Sequence, residues 1–173
     1  MVVQNHCVVS LEGKNGSGKS TFLKLLLGQA RNVSYQGKFE LTNGLSISYL
    51  PQDFTEYTGT LEEFANKQKI SYEELLNNLK KMGFPRESFS TKIEEMSMGQ
   101  QKRVAIAKSL VEPADLYLWD EPANYLDVFN QDQLIKLLKE NKPAMLLVEH
   151  NQYFIQQVTG RRIHLKTLTY KKV

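Results

Sequence analysis

Short continuous apolar runs alternate along this chain with stretches of helical spacing. Val8-Val9-Ser10-Leu11 reads as a buried strand. After a glycine-rich turn, Phe22, Leu23, Leu25 and Leu26 recur on the inner side of a helix that Gly28 ends. Between Val33 and Leu50 the pattern predicts short strands: Val33-Ser34-Tyr35, a Gln36-Gly37 turn, Phe39-Glu40-Leu41, a turn at Asn43-Gly44, then Leu45-Ser46-Ile47-Ser48-Tyr49. From about Tyr57 to Leu110 the period becomes helical. Ser71-Tyr72-Glu73-Glu74 predicts a capping box, followed by Leu75, Leu76, Leu79 and Met82, with Gly83 and Pro85 as stops. A second helix is expected from near Met98 to Leu110, carrying Val104, Ile106, Ala107 and Leu110, with Pro113 closing it.

Strand and helix then alternate again. Leu116 to Trp119 is a strand, and Leu134, Ile135, Leu137 and Leu138 mark a helix. Ala144 to Val148 is a strand, a short helix lies near Tyr153, and Arg162 to Lys166 alternates as a last strand. This order predicts an α/β fold with a mostly parallel sheet. The central helical stretch has no strands of its own and is expected as an inserted lobe. The expected division is one domain, with a core of residues 1–56 and 111–173 and a helical lobe of residues 57–110.

Composition changes little in this picture. At 173 residues the chain fits one domain, and 41% hydrophobic with 24% charged residues is ordinary for a globular protein. A net charge of +3 is too small to argue for nucleic acid. The single cysteine, Cys7, excludes an internal disulfide and a cysteine-based zinc site, and fits a small hydrophobe in a strand. No apolar run approaches the length of a bilayer span and no signal-peptide pattern opens the chain, which predicts a soluble, cytoplasmic protein without membrane insertion.

The turn after the first strand carries chemistry. Gly13-Lys14-Asn15-Gly16-Ser17-Gly18-Lys19-Ser20 is a P-loop, continued by Thr21. Its glycines let successive N–H groups face polyphosphate oxygens, while the helix that follows adds its positive dipole end. Lys19 is placed to reach the β- and γ-phosphates of a nucleotide such as ATP, and Ser20 to put a hydroxyl on Mg²⁺. Leu116-Tyr117-Leu118-Trp119-Asp120-Glu121 supplies the acids for the same site. Asp120, at the carboxyl end of its strand, is the candidate for Mg²⁺. Glu121 is the candidate to orient or deprotonate the attacking water.

With these two segments in place, four more resemble those of ABC ATPases, in the family's order. Tyr49-Leu50-Pro51-Gln52 resembles the Q-loop, which implies that Gln52 senses Mg²⁺ and the attacking water. Met96-Ser97-Met98-Gly99-Gln100-Gln101-Lys102-Arg103 resembles the signature motif, and Asn124-Tyr125-Leu126-Asp127 the D-loop. Val148-Glu149-His150 resembles the switch region, which implies that His150 contacts the γ-phosphate. The resemblance runs from about Val8 to Lys166. It implies that Ser97, Gly99, Gln100 and Asp127 act on nucleotide held by a second cassette, so that each ATP lies between two cassettes. Ser97 is also an N-cap candidate in its own right, and Met98 stands where the family usually has glycine.

Asn-x-Leu-Asp at Asn124 to Asp127 is most similar to the ABC-F proteins, and the signature with Asp127-Val128-Phe129 looks most like a second cassette of their antibiotic-resistance branch. That resemblance implies two cassettes in one soluble chain and action on the ribosome, in translation or in protection from antibiotics. The alternative is the ATPase subunit of a membrane transporter, partnered by a transmembrane subunit. A cassette of this kind begins further upstream, with strands and an aromatic residue that stacks on adenine. Only Met1 to His6 precede the first strand here, none of them aromatic, and a chain truncated at its N-terminus is expected.

Overall fold

The computed structural model describes residues 7–30 and 40–165. Strand β1 (Val8–Glu12) leads through the glycine loop into helix α1 (Lys19–Leu26), and β2 (Ile47–Leu50) follows. Three helices come next: α2 (Leu61–Gln68), α3 (Tyr72–Lys81) and α4 (Met98–Val111), with short 3₁₀ turns at Arg86–Ser90 and Ile93–Glu95. The chain then alternates β3 (Leu116–Asp120), α5 (Val128–Asn141), β4 (Met145–Val148), α6 (Gln152–Val158) and β5 (Arg161–His164). The five strands pair in parallel in the order β2-β3-β4-β1-β5. The expected α/β class with a parallel sheet is therefore the observed one.

Each sheet face carries its own apolar cluster. Val9 and Leu11 of β1, Leu118 of β3 and Leu146 and Val148 of β4 pack with Leu23 and Leu26 of α1. The opposite face, with Leu50, Trp119, Met145 and Leu147, joins the side chains of α2 to α6 in one larger cluster. Residues on both faces are apolar because a parallel sheet is covered on both sides, which is why its strands read as runs rather than alternations. Helix α4, expected with Val104, Ile106, Ala107 and Leu110 apolar, buries Lys102 to Ala107 together with Ser109. It lies between α3 and the sheet, so nearly its whole girth is enclosed. A buried polar chain fastens it there: Trp119 Nε1 donates to Ser109 Oγ at 2.9 Å, which is 2.7 Å from Ser48 Oγ.

Local rules account for most element ends. The Ser71 hydroxyl accepts from the Glu74 N–H, but the reciprocal half of the expected box is absent there. Full capping boxes form instead at Thr60 with Glu63 and at Ser97 with Gln100. The strand expected at Leu45–Tyr49 forms as Ile47–Leu50, behind the expected turn at Asn43-Gly44. The strand and turn expected at Val33 to Gly37 lie outside the described residues. So does Phe39 of the next predicted strand, while Glu40 and Leu41 are not in a strand. The last strand is Arg161–His164 rather than Arg162 to Lys166, of which Lys166 lies outside the described residues.

Candidate functional site

Strand register brings the site together. Leu11 of β1 and Asp120 of β3 both lie level with Val148 of β4, the strand between them. The residues that follow therefore leave the sheet side by side: the glycine loop, Glu121, and Glu149-His150. Leu50 of β2 pairs with Trp119, which sets Gln52 beside Glu121. These are the carboxyl ends of parallel strands, where open α/β sheets bind ligands. Asn15, Gly16, Gly18, Lys19, Ser20, Thr21, Gln52, Glu121 and His150 line a single cavity of about 630 Å³.

The loop is built from backbone geometry. Gly16 and Gly18 sit at φ +77° and +89°, the left-handed region that only glycine enters without strain. Gly18 caps α1 without any side-chain hydrogen bond, which leaves the first N–H groups of that helix to a ligand. Lys19 is largely buried and folds back over the loop, donating to the carbonyls of Gly13 (2.9 Å) and Lys14 (3.1 Å). A bound phosphate would draw that ammonium from two neutral carbonyls to a charged oxygen, a stronger partner.

The acids differ from one another. Asp120 is 1% exposed, and its Oδ1 is buried without a hydrogen-bond partner. Burial pushes its carboxyl above the ordinary range; a hydrogen bond from the Ser20 side chain opposes this, and the nearby Glu121 charge adds to it. An orphaned buried carboxylate oxygen beside a hydroxyl is a donor set that fits a hard divalent cation such as Mg²⁺, and it lies at the phosphate loop. Among the described residues no group of three or more His, Cys, Asp or Glu could hold a metal by itself.

Glu121 carries backbone strain. Its φ of +50° is unusual for a residue with a side chain, and its N–H is held by the Val148 carbonyl at 2.8 Å. The turn aims its carboxylate into a ring of partners. Gln52 Nε2 and Asn124 Nδ2 each donate to Oε2 at 2.9 Å, and His150 Nε2 lies 3.6 Å from Oε1. Gln52, Glu121 and His150, far apart in sequence, thus meet around one carboxylate. Asn124, quoted in the D-loop resemblance, was not singled out from the sequence as a partner of Glu121.

The signature residues stand elsewhere. Ser97, Gly99 and Gln100 do not line the phosphate cavity. They form the N-terminal turn of α4, where Ser97 Oγ accepts from Gln100 N–H and Gln100 Oε1 from Ser97 N–H. Met98 is 45% exposed, so the side chain that replaces the usual glycine points outward. A Cβ on Gly99 would lie 2.7 Å from the Tyr125 carbonyl oxygen, which makes glycine necessary for this chain's own packing. Asp127 caps α5 by accepting from Asn130 N–H at 2.8 Å. Arg103 holds these pieces together, donating to the carbonyls of Gly99 and Gly83 and to Asn130 Oδ1.

Residues 1–124 match the ABC transporter family. The chain belongs to that family. Its relatives include the ribosome protection protein VmlR of Bacillus subtilis, 29% identical over 164 residues covering 93% of this chain. The ATP-binding protein Uup of Haemophilus influenzae is 34% identical over 155 residues, 85% of this chain. The chain spans 29% and 24% of those two proteins' lengths. Among solved structures, a chain of the complex of an archaeal ribosomal stalk protein with the archaeal ribosome recycling factor aABCE1 superposes with a TM-score of 0.76. It is 33% identical, with 94% of this chain and 32% of that one covered. The fold is thus that of an ABC cassette, a P-loop nucleotide-binding fold. Among the described residues no helix is long and apolar enough to cross a membrane.

Proposed function

We propose that this chain is an ATP-binding and ATP-hydrolysing cassette that works with a second cassette in a cytoplasmic ABC-F-type protein acting on the ribosome. One observation carries the catalytic half: Lys19, Ser20, Gln52, Glu121 and His150 line one cavity, and the buried Asp120, with an orphaned oxygen, takes a hydrogen bond from that Ser20. Residues 57–110 serve as the lobe that presents the signature, and the rest as the nucleotide-binding core.

The loop backbone and Lys19 bind the phosphates, with Gly13, Lys14, Asn15, Gly16, Ser17, Gly18 and Thr21 framing them. Asp120, Ser20 and Gln52 would hold Mg²⁺, which would supply neutralisation of the charge on the transferred phosphoryl group. Glu121, oriented by Gln52 and Asn124, takes a proton from the attacking water. His150 stands over the same carboxylate and reaches the γ-phosphate. Ser97, Gly99, Gln100 and Asp127 act on nucleotide held by the partner cassette. The ribosome is supported by the similarity to the ribosome protection protein VmlR and to the ribosome recycling factor aABCE1.

Co-sedimentation tests the partner. The purified chain with MgATP is run on gradients with ribosomes and, in parallel, captured against detergent-solubilised membrane proteins. Association with ribosomes is expected. Association with a membrane protein alone overturns the ribosomal reading in favour of a transporter subunit.

A further inference from the structure

Glu149 has no role in the site as described, yet it lies beneath it. The side chain is 6% exposed at the end of β4. Its Oε2 accepts the Ala123 N–H at 2.9 Å, while Oε1 accepts those of His150 at 2.7 Å and Asn151 at 3.0 Å. Ala123 is two residues beyond Glu121, so one carboxylate grips both loops whose side chains meet at the Glu121–His150 contact.

A buried carboxylate persists only where it is hydrogen-bonded and faced by charge. Lys102 of α4 supplies the charge. It is fully buried, its Nζ donates to the Asp120 carbonyl at 3.4 Å, and it lies against the Phe54 ring at 5.5 Å. Glu149 is the acid whose field acts on it most, ahead of Asp120 and Glu121. Helix α4 begins at Ser97, so the same ammonium links the signature helix to the floor of the phosphate site.

We propose that Glu149 is a positioning residue: its carboxylate staples the loop carrying Glu121 to the loop carrying His150. The inference rests on the roles given above to Glu121 and His150. The staple itself is three hydrogen bonds from backbone N–H groups to the Glu149 carboxylate.

Glu149→Gln is the sharpest variant. One carboxyl oxygen becomes an amide nitrogen, which donates and cannot accept, so one side of the staple must open. On the ¹⁵N-labelled full chain, amide exchange at Ala123, or at both His150 and Asn151, should accelerate at least about tenfold relative to Leu146 and Leu147 of β4. The dissociation constant for MgATP should stay within about threefold while turnover falls at least about tenfold. Glu149→Asp keeps the charge but is one methylene too short to span both loops. It should show the same local exchange, and it serves if Glu149→Gln does not fold. Exchange that rises equally throughout β4, or not at all, overturns the staple, as does an equal fall of affinity and turnover. A wild-type chain that fails to bind MgATP refutes the proposed function instead, and the exchange pattern still decides the staple.

Discussion

Two helix N-termini face the functional edges of this molecule, and they are finished differently. Helix α1 begins at Gly18 with no side-chain cap, and Lys19, Glu121 and His150 line the cavity in front of it, with Asp120 bonded to Ser20 beside them. Helix α4 begins at Ser97 with a full capping box, ringed by the exposed side chains of Met98, Tyr125 and Phe129. The first terminus leaves its donors to a ligand and has a lysine, a hydroxyl and two carboxylates beside it. The second spends its first donors on its own side chains. The phosphate edge is therefore a candidate site in its own right, while the signature edge is proposed to act on a partner's nucleotide.

Glu121→Gln should break the phosphate edge most severely. It keeps the shape but cannot accept a proton, so turnover in paired cassettes should fall roughly 100-fold or more while MgATP affinity is retained. Single-turnover hydrolysis beside calorimetry reads both. Unchanged turnover would move the general base to another residue. Lys19→Ala should act on binding instead. It removes a charge-assisted contact to phosphate, and affinity should fall by about 10- to 100-fold by calorimetry. An unchanged affinity would overturn the reading of the loop.

Lys102 joins the two edges and gives a pH test. Burial lowers its ammonium from the ordinary 10.5 to about 8, against the opposing attraction of Glu149, Asp120 and Glu121. The unfolded chain keeps that proton to higher pH, so the charged lysine opposes folding below pH 8. The penalty is relieved as pH rises from 8 toward 10.5. In chemical denaturation the wild type should gain stability relative to Lys102→Met across that window, by at most about 3 kcal/mol. A constant difference would mean that the buried lysine keeps its ordinary proton affinity.

Gly99→Ala should have the smallest effect and bears on the signature edge alone. The added methyl meets the Tyr125 carbonyl at 2.7 Å, and about 1–2 kcal/mol of stability should be lost with MgATP affinity unchanged. Wild-type stability in thermal melts would show that the D-loop backbone yields freely.

Much of the phosphate edge was legible in the sequence because its logic is local. Gly16, Gly18, Lys19 and Ser20 are consecutive or nearly so, and Asp120-Glu121 ends an unmistakable apolar strand. Gln52 and His150 could be named only through family resemblance, since what brings them to the cavity is strand register, a non-local property. Glu149 and Lys102 were quoted within motifs but given no role, because a charged residue in a sequence reads as a solvated one. The burial of α4 all round was missed for a related reason: its polar residues hide that it lies between a sheet and another helix. The Thr60 capping box was readable from Thr60-Leu61-Glu62-Glu63.

Complementation decides whether the signature edge is half of a site. Ser97→Arg puts a bulky cation where a partner's γ-phosphate would sit and leaves the chain's own phosphate loop intact. Lys19→Ala spoils the loop and leaves the signature intact. Each variant alone should hydrolyse almost nothing. When they are mixed, a head-to-tail pair has one site with both lesions and one with neither, so activity should return and should rise with protein concentration. Two silent variants that stay silent on mixing, beside a wild type whose specific activity is independent of concentration, would contradict the account.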